Sequence, residues 1–270
     1  MQILRVFPRR TSVTPTDALA FVGDPPFWRA DADEVHVSVC FTWDIAEGRR
    51  LADAWGSYYP RVMLGGPALG TSPDGFVAGC YVKHGVTFTT RGCNNECPWC
   101  LVRGREGTLR EIDDFEAGYI IQDNNLLQAS RSHISRVISM LCEQPRAAQF
   151  KGGLESCLID DDTAEALRGI RISEVWMAAD CEAALKPLRR AVARLSFLGL
   201  RSNRLRCYVL IGFNGETIEE AEARLEKVWE IGCLPFAQLY QPADHWIDWA
   251  SGWKHLARRW QRPAIIRATH

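Results

Sequence analysis

Three cysteines, Cys93, Cys97 and Cys100, have the spacing C-x3-C-x2-C, and Trp99 precedes the last of them. Thiolates are the ligands of iron–sulfur clusters, and three of them leave one iron of a four-iron cluster open to a reacting molecule. A zinc knuckle and three unrelated core cysteines are the alternatives, but a structural zinc ion needs a fourth ligand. The nearest histidine, His84, precedes the set at no familiar zinc-site spacing. The pattern therefore favours a catalytic iron–sulfur site.

The elements that must position these cysteines follow a regular pattern from Gly85 onward. Short apolar segments alternate with segments whose apolar residues recur every three to four positions, and each pair occupies roughly 30 residues, the size of a strand–helix unit. The predicted strands are Val86–Thr90, Tyr119–Gln122, Ala147–Lys151, Val175–Ala179, Cys207–Phe213 and Pro235–Tyr240. Near-continuous apolar strands suit a parallel sheet covered by helices. Residues 85–243 are thus predicted to form a partial (β/α)6 barrel with reactive groups at the carboxyl ends of its strands.

Residues 1–84 have a different pattern. Val35–Phe41 and Arg61–Leu64 read as strands, Asp44–Ser57 reads as a helix, and Gln2–Phe7 reads as a further strand. The turn Gly65-Gly66-Pro67 is interpreted as a tight bend. This α/β segment is predicted to be a truncated Rossmann-like unit that precedes the barrel.

Residues 244–270 are predicted to form a tryptophan-rich, basic C-terminal helix. Apolar residues follow a helical three–four spacing, namely Trp246, Trp249, Trp253, Leu256 and Trp260. Such a stripe is typical of packing against a core. Five cations share the segment, namely Lys254, Arg258, Arg259, Arg262 and Arg267. They are explained either as a solvated helix end or as a contact to phosphate or nucleic acid.

Composition limits the class of protein. A formal net charge of −1 argues against broad electrostatic binding to nucleic acid but leaves room for a local basic patch. There is no apolar run of membrane-spanning length and no signal-peptide layout at the start, so we expect no membrane association and a cytoplasmic location. Seven of the ten cysteines form no C-x-x-C pair. Most of these, such as Cys40 and Cys207, have apolar neighbours and are expected to behave as small hydrophobic residues in a reducing compartment.

The cysteine spacing and its aromatic residue resemble the motif of the radical S-adenosylmethionine (radical SAM) superfamily. Thr90-Arg91-Gly92-Cys93 resembles the lead-in of its methylthiotransferase and cobalamin-type branches, and Ile211-Gly212-Phe213-Asn214-Gly215-Glu216-Thr217 resembles its fifth-strand turn. The N-terminal segment lacks the Asp-x-His-x-x-Gly signature of cobalamin binding, and His36 lies within a strand pattern. The resemblance therefore does not extend to bound cobalamin.

This resemblance implies a 4Fe–4S cluster on Cys93, Cys97 and Cys100, with S-adenosylmethionine cleaved to a 5′-deoxyadenosyl radical that abstracts a substrate hydrogen. It also implies a set of cofactor-binding residues, namely Trp99, Asp123, Asn124, Glu155, Asp180 and Gly212. Helix N-capping is an equally good interpretation of Asn124 and Asn125, and Gly152-Gly153 fits either a plain turn or close approach of a ligand.

Cys157 and Cys181 follow the third and fourth predicted strands. They are candidate catalytic residues, as hydrogen-atom donors or ligands of a second metal, although buried and inert thiols are the favoured interpretation.

The expected substrate is a nucleoside, a nucleotide or a modified nucleic-acid base, which undergoes rearrangement or insertion. An amino-acid-like small molecule is the alternative substrate, and a flavodoxin- or ferredoxin-like protein is the expected electron donor. The alternative from another class is a non-catalytic iron–sulfur or zinc protein that binds a partner through its basic tail.

Overall fold

A computed structural model describes residues 1–69 and 81–269, and Cys80 lies outside them. The chain is a mixed α/β protein with parallel sheets. It divides into two compact units, Met1–Val86 and Thr87–His270.

The first unit is a four-stranded sheet with one long helix. Its strands are β1 (Ile3–Phe7), β2 (Ala20–Val22), β3 (Glu34–Ser38) and β4 (Val62–Gly65), and its helix is α1 (Ile45–Gly56). The order β2-β1-β3-β4 is parallel throughout. The sequence predicted each of these elements except β2, which has only three residues and lies between turns.

The core of this unit lies between the sheet and α1. Val35 and Val37 of β3 pack with Leu51 and Trp55 of α1, and all four are at most 1% exposed. His36 is also buried in β3, where Nε2 lies 3.1 Å from the Glu34 carboxylate and Nδ1 is hydrogen-bonded to the Tyr81 hydroxyl.

The second unit contains the remaining elements, and its first strand begins at Val86, the last residue of the first unit. Its strands are β5 (Val86–Thr87), β6 (Thr90–Arg91), β7 (Arg110–Glu111), β8 (Ile120–Ile121), β9 (Ala148–Phe150), β10 (Ile172–Ala178), β11 (Leu205–Ile211) and β12 (Leu234–Leu239). Its helices are α2 (Val102–Glu106), α3 (Arg131–Glu143), α4 (Asp161–Arg168), α5 (Leu185–Phe197), α6 (Ile218–Ile231), α7 (Ser251–Trp260) and α8 (Pro263–Thr269). The main sheet has the order β12-β11-β10-β9-β8-β5, and the strands from β8 to β12 are parallel. Spatial order therefore follows chain order.

The first predicted strand of this unit, Val86–Thr90, is not continuous. β5 ends at Thr87, and Thr90 pairs instead with Glu111 in the antiparallel ribbon β6–β7. The backbone N–H of Thr89 donates to the Asp123 carboxylate at 2.6 Å rather than to a neighbouring strand. At Thr89, a side-chain acceptor thus replaces the backbone hydrogen bond that a neighbouring strand would provide.

The C-terminal helix is shorter than the tryptophan spacing predicts. α7 begins at Ser251, so Trp246 and Trp249 precede it and do not share its face. Trp253, Leu256 and Trp260 do pack against the core of the second unit, and Trp260 is 1% exposed. Among the described helices, none combines the length and the apolar character needed to cross a bilayer.

Two of the five predicted cations of the tail are in ion pairs. Lys254 lies 2.6 Å from Asp248, and Arg259 contacts Glu222. Arg258, Arg262 and Arg267 are exposed.

Candidate functional site

Four of the predicted site residues follow four neighbouring strands of the main sheet. Asp123, Glu155, Asp180 and Gly212 come shortly after β8, β9, β10 and β11. Because these strands are parallel, the four residues lie along one edge of the sheet, which we call the carboxyl edge. The three cysteines lie in residues 92–109, the cysteine loop, which connects β6 to β7.

The base of the cysteine loop is closed by backbone contacts. The N–H of Cys93 donates to the carbonyl of Gly107 at 3.2 Å, next to the β6–β7 pairing. A Cβ atom on Gly92 would lie 2.2 Å from the Thr108 carbonyl oxygen, and Gly92 has φ +80°. Glycine is therefore required here so that the two sides of the loop can approach each other.

A buried polar chain holds the segment before the loop. Asp123, 1% exposed, accepts hydrogen bonds from the N–H and the hydroxyl of Thr89. His133 donates from Nε2 to the Thr89 hydroxyl oxygen, and Arg136 donates to His133 Nδ1, both at 3.2 Å. Burial raises the pKa of Asp123 and lowers that of His133. Both Asp123 oxygens are engaged within the fold, and its assignment to cofactor binding stays a prediction.

Glu106, at the end of α2, forms a second anchor that the sequence did not indicate. Its carboxylate accepts from Arg91 Nη2 at 2.8 Å and from the N–H of Gly92 at 3.0 Å. It also accepts from Asn124 Nδ2 at 2.7 Å. Asn124 therefore ties the carboxyl edge to the lead-in of the cysteine loop.

Glu155 is the centre of a third polar group. Its Oε2 accepts from Asn125 Nδ2 at 2.6 Å and from Gln128 Nε2 at 2.9 Å, and its Oε1 accepts from the Cys157 thiol at 3.1 Å. Gln128 in turn accepts from the N–H of Asn94 at 2.7 Å. Burial by itself raises the pKa of Glu155, but the hydrogen bonds from Cys157, Asn125 and Gln128 outweigh it and lower the pKa. Glu155 is therefore an ionised carboxylate at neutral pH.

Asn125 carries an unused acceptor at the same place. Its Nδ2 is directed to Glu155 and lies 3.8 Å from Cys93 Sγ, whereas its buried Oδ1 has no hydrogen-bond partner among the described residues. Because Glu155 can only accept, this orientation of the amide is fixed. Asn125 forms no side-chain helix cap, and Ser130 caps α3 instead. A buried oxygen without a partner is costly unless a ligand or water donates to it.

The three thiols of the motif share the cysteine loop, and Cys97 lies within electrostatic range of the other two. Cys100 donates its N–H to the Cys97 carbonyl at 3.0 Å, and the N–H of Asn95 lies 3.5 Å from Cys93 Sγ. Burial raises the pKa of Cys97 and of Cys100, and the neighbouring thiols and Asp180 raise both further. Across residues 1–69 and 81–269, no set of three or more His, Cys, Asp or Glu side chains has the arrangement of a formed metal site. The donor set nevertheless fits a cluster, since three thiols share one loop and N–H groups are directed at a sulfur.

Trp99 and Asp180 contact each other beside the loop. The indole N–H of Trp99 is hydrogen-bonded to Asp180, and its ring lies edge-on to Phe213 with centroids 5.5 Å apart. The N–H of Leu210 donates to Asp180 Oδ1 at 2.8 Å. Burial raises the pKa of Asp180, while the donors from Leu210 and Trp99 oppose this rise.

Gly212 is covered by an aromatic ring of the chain itself. A Cβ atom there would lie 2.5 Å from Cη2 of Trp249, and the Trp249 indole N–H donates to the Tyr240 carbonyl at 2.9 Å. The turn continues through Asn214 with φ +55°, in the left-handed region that asparagine tolerates and that proline cannot adopt. The glycine is thus explained by packing, and cofactor binding at Gly212 stays a prediction.

The remaining cysteines differ from expectation. Cys157 and Cys181 are exposed, so the favoured interpretation of them as buried thiols is wrong. The Cys157 sulfur is nonetheless partly desolvated, although the residue as a whole is exposed. This desolvation first, and then the Glu155 carboxylate, raise the pKa of Cys157 to about 11, which keeps it a neutral thiol. Cys207 is buried as predicted, but Cys40 is exposed despite its apolar neighbours. Sequence neighbours do not determine burial where a strand ends and the chain turns outward.

Comparison with protein-family models gives no match, and a search of curated proteins finds no sequence similar to this chain.

Proposed function

We propose that this chain is a radical SAM enzyme whose second unit is a partial (β/α)6 barrel. The observation that carries the proposal is the placement of a C-x3-C-x2-C loop beside the carboxyl edge, where Cys97 lies within electrostatic range of Glu155 and Asp180. Strand order that follows chain order supports a barrel built from consecutive strand–helix units.

Cys93, Cys97 and Cys100 would hold the cluster, which when bound supplies the electron that cleaves S-adenosylmethionine and generates the 5′-deoxyadenosyl radical. The neighbouring side chains suit a positively charged cosubstrate. Glu155 is ionised and Asn125 Oδ1 lacks a donor, so an ammonium group can donate to both. Trp99 and Asp180 offer a ring and a carboxylate for a nucleoside, and the neutral Cys157 thiol is a candidate hydrogen-atom donor.

The leading substrate is a nucleoside, a nucleotide or a modified base that undergoes rearrangement or insertion, and the electron donor would be a flavodoxin- or ferredoxin-like protein. The three exposed arginines of the tail support a contact with phosphate.

Anaerobic reconstitution with iron and sulfide, reduction with dithionite and addition of S-adenosylmethionine test the proposal. We expect 5′-deoxyadenosine by mass spectrometry, and about four irons and four sulfides per chain, as a cubane cluster requires. Cys97→Ala is expected to abolish both while the circular dichroism spectrum stays unchanged. Cys142→Ala, which removes an exposed thiol of α3, is the matched control and should behave as the wild type.

A chain that binds one zinc ion without sulfide and forms no 5′-deoxyadenosine would contradict the proposal and favour a non-catalytic metal protein. Collapse of the fold in Cys97→Ala would likewise indicate a structural metal.

A further inference from the structure

One face of the main sheet carries charged residues and three packed rings, whereas the opposite face is apolar. Along β11 the residues alternate: Leu205, Cys207, Val209 and Ile211 are fully buried beneath the helices, and Arg206, Tyr208 and Leu210 on the other side are half-buried. We call that second side the open face, and its members in the following argument are Lys151, Glu174, Trp176, Arg206, Tyr208 and Phe236. A sheet that is covered on both sides would be apolar on both.

Three rings form a platform on the open face. Trp176 and Tyr208 are stacked with centroids 4.2 Å apart, and Phe236 lies edge-on to both, at 5.6 and 5.9 Å. The strand register places Ala178 beside Tyr208 and Gln238 beside Leu210, and both Ala178 and Gln238 are exposed. Trp176 is only 7% exposed, so the half-buried Tyr208 and Phe236 present the accessible ring surface of the platform. The exposed Ala178 and Gln238 leave this surface open towards the carboxyl edge.

The charges next to the platform do not balance. The Glu174 carboxylate lies 2.6 Å from Lys151 Nζ and 2.5 Å from Arg206 Nε, so two cations share one carboxylate and a charge of +1 remains. Glu174 is 16% exposed, whereas Lys151 and Arg206 are 33% and 24% exposed. The two cations also lie 5.9 and 5.5 Å from the Trp176 ring centroid. An ion network with a purely structural role would be expected to neutralise itself, because a net charge in a half-buried position is costly.

We propose that the open face binds a small organic anion with a flat ring, its carboxylate or phosphate at Lys151 and Arg206 and its ring against Tyr208 and Phe236. Guanidinium and ammonium groups are suited to such anions, and aromatic faces to planar rings. The inference rests on the proposed function in that this anion is the substrate. Asp180 lies four positions after Trp176, two residues beyond the end of β10, which corresponds to a rise of roughly 13 Å in extended chain, so a nucleotide-sized molecule spans from the platform to the carboxyl edge.

Saturation-transfer NMR titrations of the metal-free wild-type chain test this site without any catalytic readout. Two matched pairs of probes separate the sources of the anion: uridine 5′-monophosphate against uridine, and phenylacetate against 2-phenylethanol. We expect the anionic member of at least one pair to bind about tenfold or more tightly than its neutral partner, because one charge-assisted contact contributes that much. The pair that shows the preference identifies phosphate or carboxylate as the recognised group.

Two substitutions move the affinity in opposite directions. Arg206→Gln leaves a neutral Lys151–Glu174 pair and is expected to weaken anion binding about tenfold, whereas Glu174→Gln removes the competing internal carboxylate and is expected to strengthen it. If Arg206→Gln fails to fold, Lys151→Gln takes its place and is likewise expected to weaken anion binding. Arg258→Gln, which removes an exposed cation of α7, is the matched control and should bind like the wild type.

Equal binding of anionic and neutral probes, or wild-type affinity in Arg206→Gln and Lys151→Gln, would overturn this inference. If the wild-type chain still forms 5′-deoxyadenosine, the proposed function is unaffected by that result. Anion-selective binding by a chain that cannot form 5′-deoxyadenosine would support the anion site and contradict the proposed function.

Discussion

The cysteine loop and the turn after β11 lie at the same edge of the sheet, yet they are not held in the same way. The loop is held by carboxylates and amides, with Asp123, Glu106 and Glu155 as acceptors. The turn is held by the Trp249 ring packed on Gly212 and by the Glu216 carboxylate, which accepts from the Gly212 N–H at 2.8 Å and is ion-paired with Arg224. Both regions therefore have a carboxylate anchor, and the turn depends in addition on the space that the aromatic ring leaves. Substitutions in each region test this difference.

The largest effect is expected from Asp123→Ala. It leaves the buried N–H and hydroxyl of Thr89 without an acceptor, and the free energy of unfolding should fall by about 3–4 kcal/mol. Asp123→Asn keeps an acceptor for the N–H and should cost much less. Urea unfolding of the metal-free chain measures both, and equal losses in the two variants would show that the carboxamide cannot replace the carboxylate.

The difference in stability between the wild type and Asp123→Asn should depend on pH in a defined direction. Because burial raises the folded-state pKa of Asp123, ionising this residue opposes folding. The stability of the wild type relative to Asp123→Asn is therefore highest below the ordinary aspartate pKa. It decreases as the pH rises through the raised folded-state value. A relative stability that increases over this range would contradict the assigned direction.

A smaller loss is expected from Gly212→Ala, because alanine is strained at φ +80° and its Cβ meets the Trp249 ring. We expect the free energy of unfolding to fall by about 2–3 kcal/mol. In a Trp249→Ala background the cost of Gly212→Ala should shrink by about 1 kcal/mol, since only the backbone strain remains. Strict additivity in this cycle would mean that the ring does not limit the space at Gly212.

The smallest effect on stability is expected from Glu155→Gln, whose effect is instead chemical. Loss of the carboxylate lowers the pKa of Cys157 from about 11, and each pKa unit gives about tenfold more thiolate below that pKa. Iodoacetamide should therefore alkylate Cys157 about tenfold faster at pH 8. Mass spectrometry of the labelled peptide measures the rate, and Cys142 in the same chain is the internal control. An unchanged rate would place the cause of the raised pKa in burial alone.

The comparison also shows what a sequence can predict. Strands and helices were found from periodicity, because burial of one face imposes a repeat on neighbouring residues. The cysteine motif could also be recognised, because one loop carries all three thiols and their spacing is therefore local in the sequence. Its supports were not visible, because Glu106, Asn125 and Gln128 act across turns on side chains or backbone up to 34 positions away in the chain. Trp249 is a similar case. Its spacing fits a helix, but the helix starts two residues later, and the ring is used on Gly212 instead.

The pairing of β6 with β7 has a consequence for how the cysteine loop tolerates loss of a bound group. Both ends of the cysteine loop are fastened by the chain alone, through Thr90–Glu111 and the Cys93–Gly107 contact. For the proposed function, this means that loss of the cluster would disturb the sulfur-bearing segment and leave the surrounding scaffold assembled. Reloading with iron and sulfide would then require no new round of folding.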